Sequence, residues 1–190
     1  MNDMPIAAGH SSFGLVDPEK VLAELGVGEG SRLLDLACGR GEYSLLASVH
    51  VGDTGVICAV DLWEEGIAEL EREVAEREIG NIRSIVADAS VNIPIDPGSV
   101  DICLMAAVLH DLVEDGTHEG ALDQVRRVLA AGSVVGILEF RKVDPPPGPP
   151  RDIRLAPSQV DAMVGSRGFV KMGYVEVGDC MYLSTYKKVS

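Results

Sequence analysis

Positive charge is scarce in this 190-residue chain: sixteen Lys and Arg stand against thirty Asp and Glu, a formal net charge of −14 with His neutral. The attraction that dominates non-specific binding to nucleic-acid phosphates and anionic lipid therefore has the wrong sign, which argues against a DNA-coating, RNA-coating or membrane-surface role. Cysteine is sparse too. Cys38, Cys58, Cys103 and Cys180 lie far apart, with no Cys-x-x-Cys pair and no His at zinc-finger spacing, so no metal site is expected. No window approaches the roughly 18 consecutive apolar residues of a membrane span, and the first ten residues lack a basic stretch leading into an apolar run. The expectation is a cytoplasmic protein whose reduced thiols pack as small hydrophobes. No internal repeat is apparent. At this length, with 46% hydrophobic residues, residues 1–190 suit one domain around one core.

What is present alternates. Short apolar runs are separated by longer helical patterns, the signature of parallel strands joined by crossover helices. Asp17-Pro18 predicts a helix start and Gly26 its end. Strands are predicted over 32–37, 55–60, 82–87, 100–106 and 133–140, with helices over 41–49, 64–78, 119–130 and 158–166. Residues 169–174 and 180–186 predict two further strands around a Gly178 turn, a hairpin that gives the sheet an antiparallel member. The 64–78 segment carries seven Glu against two Arg, while Ile67, Leu70 and Val74 share one face, so it reads as an amphipathic helix with a solvated acidic back. Residues 144–151 hold five of the chain's ten prolines and follow the fifth strand, on the edge where open parallel sheets bind ligands. They read either as a stiff connection or as a wall over a pocket.

The strongest chemical signal is Leu33-Leu-Asp-Leu-Ala-Cys-Gly-Arg-Gly-Glu-Tyr-Ser44, a strand entering a two-glycine turn that opens a helix. Gly39 and Gly41 let the backbone turn sharply and approach a ligand where a Cβ would clash, and the helix start offers unpaired amides. Asp61, 22 residues after Gly39 at the end of the second strand, can accept both hydroxyls of a ribose. A nucleoside-bearing cofactor is the expectation. The third glycine of a dinucleotide fingerprint is missing, its place taken by Ser44. Asp35, inside the first strand, would repel a pyrophosphate and attract a cation.

On these residues the chain resembles the class I S-adenosylmethionine-dependent methyltransferases, whose first motif is an apolar pair, an acid, two residues and a Gly-x-Gly turn. The resemblance runs from about Asp17 to Lys187 and is nearest the small-molecule enzymes that include those of quinone biosynthesis. It implies a three-layer Rossmann-like α/β fold whose mostly parallel sheet has seven strands, one antiparallel strand coming from the C-terminal hairpin. It also implies S-adenosylmethionine as cofactor, contacted by Asp35, Ala37, Gly39, Gly41, Asp61, Leu62, Asp88, Ala89 and Ala106. That cofactor carries an ammonium and a sulfonium and no phosphate, in keeping with Asp35. The departures are Cys38 and Arg40 in the turn and Trp63 after Asp61-Leu62, which either stacks on the adenine or caps the acidic helix. Where enzymes acting on base amino groups carry Asp-Pro-Pro-aromatic, this chain reads Ala107-Val-Leu-His110, which argues against nucleic-acid substrates.

Methyl transfer from a sulfonium is an in-line displacement with an activated donor, so few catalytic groups are required. His110 and Asp111, just after the fourth strand, are the candidate catalytic pair, with His110 either a base or a polar residue that faces the cofactor or starts a helix. His10 and Phe13, in an N-terminal segment (1–16) of the kind that covers the pocket in relatives, and Arg141 are candidate substrate contacts. Glu139, Arg141 and Arg151 flank the same edge, where Arg could recognise an acidic substrate or, equally, form a solvated pair; Cys38 and Cys103 read as packing, and His50 and His118 as surface residues at helix ends. With little room for a substrate domain, the acceptor is small or its pocket is completed by a second subunit, which leaves a homodimer open. Two rival classes stand beside this reading. A nicotinamide-dependent oxidoreductase would share Asp61 but expects the third glycine and has no use for Asp35; a non-catalytic cofactor-binding protein of the same fold is inseparable on sequence.

Overall fold

Asp17 accepts a hydrogen bond from the Lys20 amide and Pro18 fills the first turn, so the first helix, α1 (Pro18–Leu25), starts where these residues dictate; Gly26, in the left-handed region at φ +73°, ends it. The computed structural model describes residues 9–143 and 147–189. Its strands are β1 (Arg32–Leu36), β2 (Val56–Asp61), β3 (Ile82–Val86), β4 (Val100–Ala106), β5 (Leu129–Phe140), β6 (Phe169–Glu176) and β7 (Met181–Lys188). The remaining helices are α2 (Glu42–Val51), α3 (Glu64–Glu76), α4 (Leu109–Glu114), α5 (His118–Val128) and α6 (Pro157–Ser166). All seven strands form one sheet in the order β3-β2-β1-β4-β5-β7-β6. Strands β1 to β5 pair in parallel, and β7 runs antiparallel between β5 and β6.

Two apolar layers sandwich the sheet. Leu22, Tyr43 and Leu70 bring α1, α2 and α3 onto one face, and Leu109, Leu122 and Val160 bring α4, α5 and α6 onto the other. Buried on both sides, the central strands are nearly continuous in apolar residues, as in Ile102-Cys-Leu-Met105. Because β1 lies between β2 and β4, the chain leaves it in opposite directions, and the crevice beyond the carboxyl ends of β1 and β4 is the fold's natural ligand site.

The structure differs from the sequence expectations at two places. Residues 109–114 form a helix, expected from sequence only as one alternative for His110, because six residues are too few to display a helical period. The strand expected from Ser133 begins at Leu129, and α5 stops at Val128. Leu129 is fully buried and pairs with Val100 across a register shift between Val100 and Ile102, so it reaches the core in extended rather than helical form. The four cysteines are free, three of them buried. No helix among the described residues is long and apolar enough to cross a membrane.

Candidate functional site

The glycine turn stands over a buried acid. Asp35 is 1% exposed and accepts a 2.6 Å hydrogen bond from the Ser44 hydroxyl, so the residue in place of the third glycine fixes the acid. Burial pushes the Asp35 carboxyl up to about 6, against the opposing pull of Ser44 and with a further push from Asp61. Gly39 and Gly41 both take left-handed backbone, at φ +57° and +75°. A Cβ on Gly41 would fall 2.5 Å from Leu70, whereas one on Gly39 would meet nothing within 4 Å, so the turn packs on α3 through Gly41 and opens outward at Gly39. Asp61 takes the Gly39 amide on Oδ2 at 2.7 Å and the Trp63 amide on Oδ1 at 2.8 Å. Each oxygen keeps a lone pair for a further donor, so the same carboxylate can lock the turn and bind a vicinal diol.

Next along the edge, Leu62 is 55% exposed. Asp88, also exposed, uses Oδ1 to cap the Ser90 amide and hydroxyl, shaping the turn that carries Ala89. Ala37 and Ala107 both adopt left-handed backbone, at φ +57° and +54°, immediately after the adjacent strands β1 and β4. Strain at non-glycine residues on both sides of the switch point marks a place where backbone geometry is imposed by the surroundings. Ala107 was not singled out from sequence, and alanine gives no local signal of such a conformation. Trp63 occupies the N-cap position of α3, buried beneath the Arg40 guanidinium and making no side-chain capping hydrogen bond; its Nε1 is buried without a hydrogen-bond partner among the described residues.

A second cluster lies at the ends of β4 and β5. Glu139 has no exposed surface, which corrects its reading as part of a solvated pair. Its carboxylate accepts from His110 Nδ1 at 2.8 Å and from the His110 amide at 3.1 Å. A carboxylate only accepts, so Nδ1 carries the proton and Nε2 is the nitrogen that titrates; Nε2 lies 3.4 Å from Asp111 Oδ1. Burial alone would lower the His110 imidazole, but the Glu139 hydrogen bond and the charges of Glu139 and Asp111 outweigh it and the net direction is upward. Asp111 is pushed up, chiefly by burial, and its Oδ2 has no partner among the described residues. The available sequence signal for Glu139 was a charge inside the buried run Ile137-Leu-Glu-Phe140.

Two segments border these clusters. Ser12 shares a 3.1 Å hydrogen bond with the Tyr43 hydroxyl, Phe13 meets the Tyr43 ring edge-on at 5.1 Å, and Gly9 faces the Trp63 indole, which places the segment against the first turns of α2 and α3. His10 is exposed. Residues 1–8 of that segment, and 144–146 of the proline-rich connection, lie outside the described residues. Gly148 lies against Phe140, whose ring meets His110 edge-on at 6.0 Å. Fully buried Arg154, not singled out from sequence, donates to the carbonyls of Pro149, Arg141 and Pro147 at 2.9, 2.7 and 2.6 Å and so ties the connection down. Arg141 is paired with Glu176 at 3.0 Å. His118 is not a free surface residue: its Nδ1 is buried, without a partner among the described residues. No group of three or more His, Cys, Asp or Glu among the described residues is arranged to hold a metal ion.

A cofactor with a cationic end, a diol and an apolar flat ring fits this edge. Asp35 offers a buried negative charge, Gly39 an open approach, Asp61 two acceptors and Leu62 an exposed apolar surface. Residues 33–132 match the family model of a methyltransferase domain. Demethylmenaquinone methyltransferase from Staphylococcus aureus is 28% identical over 121 residues, 64% of this chain and 48% of that protein. The chain thus spans about half the length of the curated relatives it matches. Among solved structures, a SAM-dependent methyltransferase from Aquifex aeolicus is similar at 28% identity and a TM-score of 0.86, covering 95% of this chain and 94% of that one. An N-methyltransferase from Bradyrhizobium japonicum, in complex with S-adenosyl-L-homocysteine, shares the fold at 15% identity and a TM-score of 0.72, covering 100% of this chain and 94% of that one.

Proposed function

The chain belongs to the methyltransferase domain family, and from this premise we propose that it transfers the methyl group of S-adenosylmethionine to a small-molecule acceptor. The observation that carries the reading is the fully buried Asp35 beneath an outward-open glycine turn at the β1–β4 switch point. Asp35, Ala37, Gly39 and Gly41 form the face toward the amino-acid end of the cofactor. Asp61 takes the ribose hydroxyls, and Leu62, Asp88, Ala89 and Ala106 border the adenine and the path to the methyl. Bound there, S-adenosylmethionine supplies an electrophilic methyl carbon on a positively charged sulfur.

His110 and Asp111 stand on the acceptor side. With Nδ1 held by Glu139, His110 presents Nε2 to take the acceptor's proton as the acceptor's lone pair attacks. Glu139 is a positioning residue: it fixes the tautomer and favours the imidazolium that results. His10, Phe13 and Arg141 border the acceptor, with residues 9–16 and 147–151 walling the pocket of one domain. The free thiols support a cytoplasmic setting.

The nicotinamide alternative loses support here, because Ser44 fills the third glycine's place and commits its hydroxyl to Asp35. The reading is tested by calorimetric titration with S-adenosylmethionine, S-adenosylhomocysteine, NADH and NADPH. Binding of the first two alone is expected; binding of a nicotinamide cofactor alone would overturn the proposal. Turnover on an acceptor panel separates an enzyme from a non-catalytic binding protein, and sedimentation reports whether a second copy completes the pocket.

A further inference from the structure

One strand beyond the Glu139–His110 pair, the chain builds a cleft of about 260 Å³ between the start of α6 and the β6–β7 hairpin. Tyr182, fully buried, forms one wall, its ring held by a 2.8 Å hydrogen bond from its hydroxyl to the Leu155 carbonyl. Tyr174 stacks on it at 5.5 Å between centroids, inclined by 27°, and remains 45% exposed. Val143 and Pro157 add apolar surface, and the consecutive cations Arg141 and Lys142 complete the lining. Glu176 already neutralises Arg141. Lys142 is exposed and has no ion pair or hydrogen bond among the described residues, an unpaired cation on a chain of net charge −14.

The cleft also adjoins the chemistry. Tyr182 is the register partner of Glu139 across β5 and β7, and Glu139 holds His110. Glu139 and Tyr182 stand one strand spacing apart, about 4.8 Å, so the wall of the cleft is the immediate neighbour of the carboxylate that holds His110. Its volume lies below the roughly 300–1,000 Å³ of pockets that enclose drug-sized ligands, which suits one ring and its substituent.

We propose that this cleft anchors the acceptor and takes an aromatic carboxylate, its ring against Tyr174 and its carboxylate on Lys142, leaving the remainder of the acceptor directed at His110. The inference rests on the methyltransferase reading and deepens it: the substrate class is an acidic aromatic rather than a neutral one.

The test is a calorimetric titration of the S-adenosylhomocysteine-saturated protein with 4-hydroxyphenylacetate and, as its uncharged match, 4-hydroxyphenylacetamide. The acid is expected to bind about tenfold more tightly than the amide. Lys142→Gln lowers affinity for the acid about fivefold and leaves the amide and S-adenosylhomocysteine unchanged. Tyr174→Ala weakens acid and amide together. Both side chains reach solvent, so both variants fold, and the cofactor titration on the same samples verifies it. Equal binding of acid and amide, indifference to Lys142→Gln, or no binding of either probe while S-adenosylhomocysteine binds would overturn the subsite alone. Acid binding that follows this pattern without any S-adenosylhomocysteine binding would instead sink the methyltransferase reading and leave an aromatic-carboxylate site.

Discussion

The two halves of the sheet's carboxyl edge carry opposite chemistry. Along β1, β2 and β3 the groups are acids, Asp35, Asp61 and Asp88, while Arg40 in the turn is tied to Glu69 at 2.7 Å. Along β4, β5 and β7 a buried imidazole, the guanidinium of Arg154 and the cations Arg141 and Lys142 stand among aromatic rings. Glu139, Asp111 and Glu176 balance much of that positive charge, so the contrast is between an edge of acids and an edge where acids and cations are paired, with Lys142 the cation left over.

The sharpest way to separate the halves is to disable one and watch the other. His110→Ala is expected to lower turnover by roughly 10²- to 10⁴-fold, the usual contribution of a general base, with S-adenosylhomocysteine affinity unchanged by calorimetry. The pH profile gives a finer reading. A base acts when neutral, and the neighbours of His110 raise it above 6.5, so the rate climbs with pH through a midpoint above that value. Glu139→Gln removes the carboxylate that favours the imidazolium and moves the midpoint down. The same linkage has a stability side: the charged His110 stabilises the fold below pH 6.5, and that contribution is lost as pH rises through the raised value. A midpoint that ignores Glu139→Gln would remove the positioning role.

On the cofactor half, Asp61→Ala deletes the acceptor for the Gly39 and Trp63 amides together with the diol site. Hydrogen bonds to a charged group contribute about 1.5–3 kcal/mol each, so cofactor affinity should fall on the order of 100-fold. Binding of 4-hydroxyphenylacetate in the cleft should not change. If both ligands weaken equally, the halves are not independent and the electrostatic contrast carries no function.

The halves also differed in how far sequence revealed them. The glycine turn, Asp35 and Asp61 were legible because a strand, a turn and a helix start each demand particular residues at fixed spacing. The sheet was legible for a related reason: its buried strands read as apolar runs between helical periods. On the acceptor half, position was visible but contacts were not. His110 and Asp111 were marked by their place after β4, yet the Glu139 partner is 29 residues away, and only the β4–β5 register brings it beneath the imidazole. Arg154 satisfies its guanidinium with carbonyls at 147, 149 and 141, and backbone acceptors leave no trace in a sequence. The cleft is assembled from residues 141–143 after β5, from β6 and β7 and from the start of α6, segments whose adjacency follows from the β7 insertion rather than from any local motif.

The buried acid offers a test on the order of tenfold. With its carboxyl near 6, Asp35 is mostly protonated at pH 5 and mostly ionised at pH 7. A cationic ligand favours the ionised form, so S-adenosylmethionine affinity should fall about tenfold from pH 7 to pH 5, with proton release on binding. Calorimetry in two buffers of different ionisation enthalpy measures that release. In the free protein a raised carboxyl contributes stability below its unfolded value of 3.8 that is lost as pH rises through about 6. Asp35→Asn should therefore stabilise the free protein at pH 7, by an amount on the order of 3 kcal/mol at most, while weakening the cofactor. Pairing higher stability with lower affinity identifies Asp35 as a group whose burial serves binding rather than folding; a variant that loses both would make it a structural acid.

Leu62 gives the smallest effect and the finest division of the edge. It is 55% exposed, an apolar side chain beside Asp61, the proposed diol acceptor. Leu62→Ala should leave thermal stability almost unmoved, since little buried surface is lost. If the adenine lies on it, burying the exposed portion of a leucine contributes about 1 kcal/mol, a loss of about fivefold in S-adenosylhomocysteine affinity. Unchanged affinity would move the adenine off Leu62 and toward the Asp88–Ala89 turn, where Asp88→Ala would then have to produce the loss. Either outcome locates the ring along the acidic half, because both residues follow strands on the β1–β3 side of the switch point and neither belongs to the acceptor's half.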